Sequence, residues 1–317
     1  MDGPFQDDMN YSLNRFDFMV VGEASMILAP TFQALAKTFN RLNLRPVVVF
    51  PGDKYQQQPL KTVGDRVSAT TSIVNEQQTF HAANAIKHFL YQQFRIVDEE
   101  YAKLLDLICY TQLTQEQLDR IQHDMILCPE GDLSNEDIWQ AFQSKDAVTV
   151  MTVARRGAQR INNITVMHLL EDQCPLSRIP CASIAKATNI YPVKDMKVLF
   201  TENHDKVARI VNGQEATIIS TQNNTIIFHL PEGQRVFVYP ITQIVDDRPV
   251  TKYPFTPAYA QTKTKSQGQN IRHLIVWLDS KLVPAGTAYV GLSRVRQHGK
   301  ILFLQPPYSH QLTPVRV

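Results

Sequence analysis

Short apolar runs alternate with amphipathic segments along most of this sequence, and the alternation limits the folds open to the chain. Residues 45–50 (RPVVVF) and 147–154 (AVTVMTVA) are rich in β-branched side chains, whereas residues 31–42 and 99–109 place apolar side chains at helical spacing. Strands that alternate with helices are typical of an α/β fold with a mainly parallel sheet. The sequence therefore predicts that fold class.

Residues 195–254 interrupt this alternation. Short strand-like runs follow one another closely there, and the pairs Asn212-Gly213 and Asn223-Asn224 lie between them. Such pairs favour tight hairpin turns, so we expect a small antiparallel barrel inserted in the α/β frame. Residues 54–84 are polar and show no clear period, and we predict loop with short helices there.

Composition sets only broad limits on function. With 317 residues the chain can bury a large core, and its formal net charge of +2 gives no bulk electrostatic reason for a polyanionic partner, although a local basic groove is compatible with it. The four cysteines indicate neither a disulfide framework nor a zinc site and favour a reducing compartment. No apolar run approaches the roughly 20 residues that a spanning helix needs, so we expect no membrane association. The N-terminus resembles neither a secretory signal nor a transit peptide.

The stretch FDFMVVGEASM, residues 16–26, predicts a strand that runs into an acidic turn. Nucleotide-hydrolysing α/β enzymes use carboxylates at such a strand end, one to organise magnesium and one to orient the attacking water. Glu23 supplies the second of these, but Gly22 stands where the first is expected. The stretch alone is compatible with a damaged ATPase, a fragment of one, or a different protein.

Three further segments have weak chemical signals, each with a structural alternative. After the strand at 47–50, Asp53 and Gln56 are placed to reach a metal-bound water and a γ-phosphate, or they form an ordinary polar loop. Residues 258–271 break from a strand into small hydroxyls, a lysine and a glycine, which suit a phosphate chain or an exposed connection. Residues 288–300 form a helix with arginines that suit either phosphoryl chemistry or a solvated helix end.

Six segments follow one another along the sequence. They are VVGEASM, GDKYQQQP, LYQQFRIVDEEY, RIVNGQEATII, AQTKTKSQGQ and YVGLSRVR. Taken in this order, they resemble the C-terminal two-thirds of a Pif-type DNA helicase. This family is the RecD-like branch of superfamily one and includes the helicases of Helitron transposons. The resemblance covers about residues 16–305, and Lys265–Gln269 with Tyr289–Arg296 is its most specific part.

The resemblance implies a role for each site residue. Glu23 is similar to the base that orients water, Gln56 to the γ-phosphate sensor, and Arg95 and Arg294 to the two arginines that reach the γ-phosphate. The remaining implied residues bind the nucleotide (Asp53, Gln267 and Gly268) or single-stranded DNA (Thr262, Lys265 and Ser266).

The resemblance also implies an architecture and partners. Residues 1–85 would be the C-terminal part of a first RecA-like domain, and residues 86–317 a second one with an SH3-like barrel at about 205–254. The cofactors would be ATP and Mg²⁺, and the partner single-stranded DNA. Family membership further implies 5′–3′ unwinding, roles in DNA repair, recombination and telomere maintenance, and a nuclear location.

Departures from the family pattern limit the expected activity. Gly22 replaces the magnesium-organising aspartate of the family. In addition, Thr264 replaces a histidine, Ala216 replaces a glycine, and Gln57-Gln58 replaces the usual Leu-Pro. The 317 residues contain no Gly-x-x-x-x-Gly-Lys-Ser/Thr phosphate loop. We therefore expect a truncated helicase homologue that is inactive in ATP hydrolysis, with a phosphate-loop segment encoded upstream. The alternatives are a non-hydrolysing module that binds single-stranded DNA and an inert mobile-element remnant.

Aromatic side chains could help to choose between these alternatives. Bases of single-stranded DNA stack on exposed aromatic rings, and Tyr253, Phe255, Tyr259 and His273 are the candidates. The competing interpretation is that these residues belong to the core of the strands that contain them.

Overall fold

The structure is a computed structural model, and it is described here for the residues whose placement is well determined. These are residues 17–56, 59–63, 66–69, 86–90, 94–123, 125–128, 133–143, 148–171, 173–182, 189–203, 205, 210–266 and 271–315. The chain divides into two compact units. Unit 1 comprises Met1–Thr114, Leu282–Val290 and Ser309–Val317, and unit 2 comprises Gln115–Lys281 and Gly291–Tyr308. Residues 86–114 thus group with unit 1, although the sequence assigns them to a second RecA-like domain, and that assignment stays a prediction.

Unit 1 begins with a parallel β-α-β element. Strand β1 (Phe18–Val20), helix α1 (Ala29–Arg41) and strand β2 (Val47–Val49) follow in order, with Phe18 opposite Val47. An antiparallel hairpin of β3 (Leu60–Val63) and β4 (Arg66–Ala69) comes next, so the predicted loop with short helices is wrong there. Helix α2 (Glu99–Tyr110) starts at Asp98, whose carboxylate accepts a hydrogen bond from the amide of Tyr101 at 3.0 Å.

One face of the β1–β2 pair is exposed. Phe18 and Val20 on β1 and Val47 and Val49 on β2 all lie on this face, and each is more than two-fifths exposed. Parallel sheets normally bury both faces. Unit 1 therefore presents apolar surface where an α/β sheet is usually covered.

Unit 2 contains a four-stranded parallel sheet with helices packed on it. The elements are α3 (Gln115–Gln122), α4 (Asn135–Gln143), β5 (Val148–Thr152), α5 (Arg155–Glu171), β13 (Ala260–Thr262), α6 (Lys263–Ser266), β14 (His273–Trp277), α7 (Thr287–Leu292, which begins in unit 1) and β15 (Ile301–Phe303). The strands of the sheet have the order β13-β5-β14-β15. Helix α5 packs on strands β5 and β13, helix α4 packs on α5, and Val150, Ile161 and Ile275 are central residues of this core. The predicted α/β class with a parallel sheet is confirmed.

An antiparallel sheet lies in the interval where a barrel is predicted. The strands in this interval are β6 (Lys197–Phe200), β7 (Glu215–Gln222), β8 (Thr225–His229), β9 (Arg235–Val238), β10 (Ile241–Val245), β11 (Arg248–Lys252) and β12 (Phe255–Pro257). Five of them form the sheet in the order β12-β6-β7-β8-β9, and a separate hairpin pairs β10 with β11. The core of the sheet is apolar and includes Phe200, Phe228 and Phe255, which make edge-to-face contacts. The SH3-like closure stays a prediction.

Two hairpin turns use left-handed backbone. Asn223 and Asn224 join β7 to β8 with φ of 49° and 62°, and Asp246 and Asp247 join β10 to β11 with φ of 51° and 59°. Positive φ at both central positions is the geometry of the type I′ hairpin turn. The predicted turn at Asn223-Asn224 is confirmed. Among the described residues, no helix is both long and apolar enough to span a bilayer.

Candidate functional site

The acidic turn after β1 is held in an unusual backbone conformation. Glu23 has φ 55° and ψ 45°, left-handed values that are uncommon for a residue with a side chain. Its carbonyl accepts a hydrogen bond from the amide of Met26 at 2.8 Å, and the residue is exposed. The next two residues, Ala24 and Ser25, are fully buried, so the backbone on either side of the exposed carboxylate is fixed. The hydroxyl of Ser25 has no hydrogen-bond partner among the described residues.

The loop that contains Asp53 packs directly against this turn. The amide of Ala24 donates to the carbonyl of Pro51 at 3.0 Å. A Cβ on Gly52 would lie 2.9 Å from both the Cβ of Ala24 and the amide nitrogen of Ser25. Only glycine permits so close an approach. The two predicted motifs, around Glu23 and around Asp53, therefore lie side by side in unit 1.

Asp53 is the centre of a hydrogen-bond network. Its carboxylate accepts from the amide of Tyr55 at 2.9 Å, the side-chain amide of Gln56 at 3.3 Å and the hydroxyl of Tyr289 at 3.1 Å. Burial raises the pKa of Tyr289, and the negative charge of Asp53 raises that pKa further. The phenol is therefore a stable donor. Asp53 orients the side chain of Gln56, and the nucleotide-binding role that the family resemblance implies for Asp53 stays a prediction.

The start of helix α7 packs closely on the same loop. Gly286 has φ 76°, and a Cβ there would lie 2.7 Å from Cγ2 of Val315 and 2.9 Å from the carbonyl oxygen of Tyr55. The ring of Tyr55 contacts that of Tyr110 edge to face, with centroids 4.8 Å apart. Local sequence patterns gave no sign of these contacts, since their partners come from distant parts of the chain. The loop around Gln56 is thus packed on several sides.

The two predicted arginines have different environments. Arg95 lies half-buried in a bend before α2, in unit 1. Arg294 belongs to unit 2 and is 1% exposed. Its Nη2 donates to the hydroxyl of Ser293 at 2.9 Å, and its carbonyl accepts from the amide of Ile271 at 3.0 Å. Their joint role at a γ-phosphate stays a prediction.

The predicted DNA-binding residues lie at the carboxyl edge of the parallel sheet in unit 2. Thr262 ends β13, Lys265 is exposed on the short helix α6, and Ser266 is buried and donates to the carbonyl of Lys263 at 2.8 Å. Lys263 is 4% exposed, and burial lowers the pKa of its ammonium to about 8. Gln267 and Gly268 lie outside the described residues.

An aspartate occupies the amino end of helix α5 at this edge. Oδ1 of Asp279 accepts from the amides of Val153 and Ala154 at 2.7 and 3.0 Å, and the amide of Gly157 also donates to the carboxylate. Burial raises the pKa of Asp279, and these backbone hydrogen bonds partly offset the rise. A Cβ on Gly157 would lie 2.1 Å from Oδ2, so this position requires glycine.

The residues around Glu23 offer few ligands for a magnesium ion. Within the described part of the chain, no three His, Cys, Asp or Glu residues are grouped as metal ligands. At the end of β1, Glu23 is followed by buried apolar and hydroxyl residues, and its neighbour Gly22 offers no ligand. A Cβ on Gly22 would meet nothing within 4 Å. The position has room for a carboxylate but does not supply one.

The aromatic candidates for base stacking belong mainly to the core. Tyr253 and Phe255 are fully buried and stack on each other with centroids 5.4 Å apart. The hydroxyl of Tyr259 accepts from the amide of Lys197 at 3.1 Å, and His273 lies in strand β14. For Tyr253 and Phe255 the core interpretation is therefore correct.

Comparison with solved structures shows which fold the chain adopts. The chain superposes on a Pif1 from Bacteroides bound to single-stranded DNA with a TM-score of 0.73 and 18% identity, covering 100% of this chain and 76% of that one. A Pif1 helicase from Candida albicans gives a TM-score of 0.69 at 16% identity, covering 98% and 77%. These likenesses establish the fold of a RecA-like helicase.

Sequence comparison finds a curated relative with the same motifs. An "ATP-dependent DNA helicase Pif1" from Bdellovibrio bacteriovorus is 36% identical over 196 residues, which cover 56% of this chain. The chain is a homologue of the Pif1 helicases, as its motifs predict. The match spans 44% of that relative's length. No protein-family model matches the chain.

Proposed function

We propose that this chain is a Pif-type helicase homologue that binds single-stranded DNA, and that the 317-residue polypeptide does not hydrolyse ATP by itself. Gly22 is the main support for the second part. It stands beside Glu23 in open space, where hydrolysis requires a second carboxylate to organise magnesium. The sequence also lacks a phosphate loop. A phosphate-loop segment encoded upstream and a nuclear location, both implied by the family, belong to the same proposal.

The edge of the parallel sheet supports the DNA-binding part. Lys265 is exposed there, beside the hydroxyl of Thr262, on a segment that directly follows a buried strand. Cationic side chains on a rigid edge suit the phosphates of a nucleic-acid backbone. Homologous structures include Pif1 bound to single-stranded DNA and Pif1 in complex with ADP-AlF3 and single-stranded DNA.

Fluorescence anisotropy with a labelled oligothymidylate tests DNA binding. We expect weak binding that falls steeply with salt, because phosphate contacts release counterions. Lys265→Ala should weaken binding to all sequences alike. Binding that ignores salt, or that is stronger for duplex than for single strands, would refute the proposal and favour an inert remnant.

Steady-state ATP hydrolysis with and without single-stranded DNA tests the second part. The unmodified chain and Gly22→Asp should both be inactive, and so should a fusion that adds a phosphate-loop segment from a related helicase while keeping Gly22. The fusion combined with Gly22→Asp should hydrolyse ATP in a DNA-stimulated way, because positioning and charge neutralisation supply most of the catalysis. In that protein Arg294→Ala should lower turnover by about 10³-fold, with circular dichroism as the folding control. Hydrolysis by the unmodified chain that Glu23→Gln abolishes would contradict the proposal.

A further inference from the structure

Arg155 and Lys265 lie at equivalent positions just after two neighbouring strands. Strands β5 and β13 pair in parallel with Thr152 opposite Thr262. Arg155 comes three residues after Thr152 as the first residue of α5, and Lys265 comes three residues after Thr262 in α6. Both residues are exposed. Since the strands run in the same direction, the two cations project from the same edge of the sheet.

The two charges are close enough to affect each other. The pKa of Lys265 is lowered, first by loss of water around its ammonium and then by the positive charge of Arg155. Like charges held together raise the free energy of the protein when no anion is present. The first turn of helix α5 also contains no acidic residue. Cations are unfavourable at that end of a helix dipole, and a carboxylate that lies there, Asp279, is already hydrogen-bonded to backbone amides.

The backbone at this helix end is already engaged. An anion near the amino end of a helix usually binds its free amides. Here the carboxylate of Asp279 accepts from the amides of Val153 and Ala154, so these donors are occupied. Part of the backbone that usually binds an anion is therefore occupied, and guanidinium and ammonium groups are the strongest side-chain donors for a phosphate that approaches this edge.

We propose that Arg155 and Lys265 together bind a backbone phosphate of single-stranded DNA. This inference rests on the proposed function for the DNA, and Arg155 is not among the residues that the family motifs assign to binding. Arg155 offers a planar fork of donors and Lys265 a point charge, so the pair can hold two oxygens of one phosphate. The phosphate in turn removes the repulsion between the two cations.

A double-mutant cycle tests the pair by anisotropy with a labelled oligothymidylate over a salt series. Arg155→Gln and Lys265→Gln should each lower affinity about 10-fold at low salt and reduce the slope of log K against log salt by about 0.7. The double variant should lose less affinity than the product of the two single losses. The reason is that DNA binding relieves the repulsion between Arg155 and Lys265, and either single substitution already removes that repulsion.

Arg156→Gln is the matched control. Arg156 is the next residue of the same helix, is also exposed, and is not among the charges that shift the pKa of Lys265. Arg156→Gln changes the net charge and the charge at the helix end in the same way as Arg155→Gln, but it should show no coupling to Lys265→Gln. Equal coupling at Arg156 would mean that net charge alone explains the effect, and would overturn the inference.

Thermal unfolding without DNA gives an independent measurement. Arg155→Gln should raise the melting temperature of unit 2 by about 1–2 °C at low salt, because the repulsion is gone, and salt should abolish the difference. A lower melting temperature, or unchanged DNA binding in Arg155→Gln, would refute the joint role of Arg155 and Lys265 but not the proposed function. If the unmodified chain fails to bind single-stranded DNA, the proposed function and this inference both fail.

Discussion

Gly52→Ala is the sharpest test of how the two motifs of unit 1 are held together. Gly52 lies where the loop of Asp53 meets the turn of Glu23. The new methyl group would lie 2.9 Å from the Cβ of Ala24 and 2.9 Å from the amide nitrogen of Ser25. Carbon atoms in favourable contact are about 3.5–4.0 Å apart, so one segment must move by roughly 0.5–1 Å.

The expected cost follows from this geometry. Ala24 and Ser25 are fully buried and cannot move outward freely. Overpacking of this kind costs about 1–3 kcal/mol, which is about 5- to 150-fold in a local opening equilibrium. The hydrogen bond from the amide of Ala24 to the carbonyl of Pro51 should weaken first, because it joins the two segments.

Amide hydrogen exchange measured by mass spectrometry is the appropriate assay. Peptides that contain residues 18–28 and 47–56 should exchange about 5- to 150-fold faster in Gly52→Ala. Gly22→Ala is the control, since its Cβ would meet nothing within 4 Å and its exchange should change by less than about 2-fold. Both tryptophans, Trp139 and Trp277, belong to unit 2, so their fluorescence should report an unchanged unit 2. Equal exchange in the two alanine variants would refute the close packing of these motifs.

Three further predictions concern buried polar groups. Gly157→Ala should displace the carboxylate of Asp279 from the helix end and cost about 1–2 kcal/mol in urea unfolding. The same change should cost less when Asp279 is already alanine, because only the Cβ at position 279, 3.3 Å away, then remains close. The pKa of Lys263 is about 8 in the folded protein, against an ordinary value of 10.5. Between these values the unfolded chain binds more protons than the folded one, so the free energy of unfolding should rise from pH 8 to 10.5. A rise that persists in Lys263→Met would contradict this. Tyr289→Phe removes a hydrogen bond to a charged acceptor, and such a bond contributes about 1.5–3 kcal/mol. Amide exchange around Asp53 should therefore become about 10- to 150-fold faster. Unchanged exchange would show that the bond contributes little.

Local signals account for the features that sequence predicted correctly. The α/β class follows from strands and helices of distinct period, and the Asn223-Asn224 turn follows from residues that tolerate positive φ. Each of these depends on interactions within a few residues, which a single sequence displays directly.

Long-range contacts account for the features that sequence missed. Helix α5 begins at Arg155, where Asp279, more than a hundred residues away, accepts hydrogen bonds from the amides just before it. Tyr289 supports Asp53 across 236 residues. The hairpin at 60–69 was predicted as loop because its residues have no clear alternation. In each case the partner that decides the structure is distant in the chain.

The contact between Gly157 and Asp279 has a consequence for how this chain can diverge. A side chain at position 157 and a carboxylate at position 279 exclude each other, because the Cβ would lie 2.1 Å from Oδ2. Substitution of either residue alone therefore passes through a less stable intermediate sequence. In an alignment of homologues the two positions should change together, with glycine at 157 wherever an acid at 279 closes the helix, and with larger residues at 157 only where position 279 has become small.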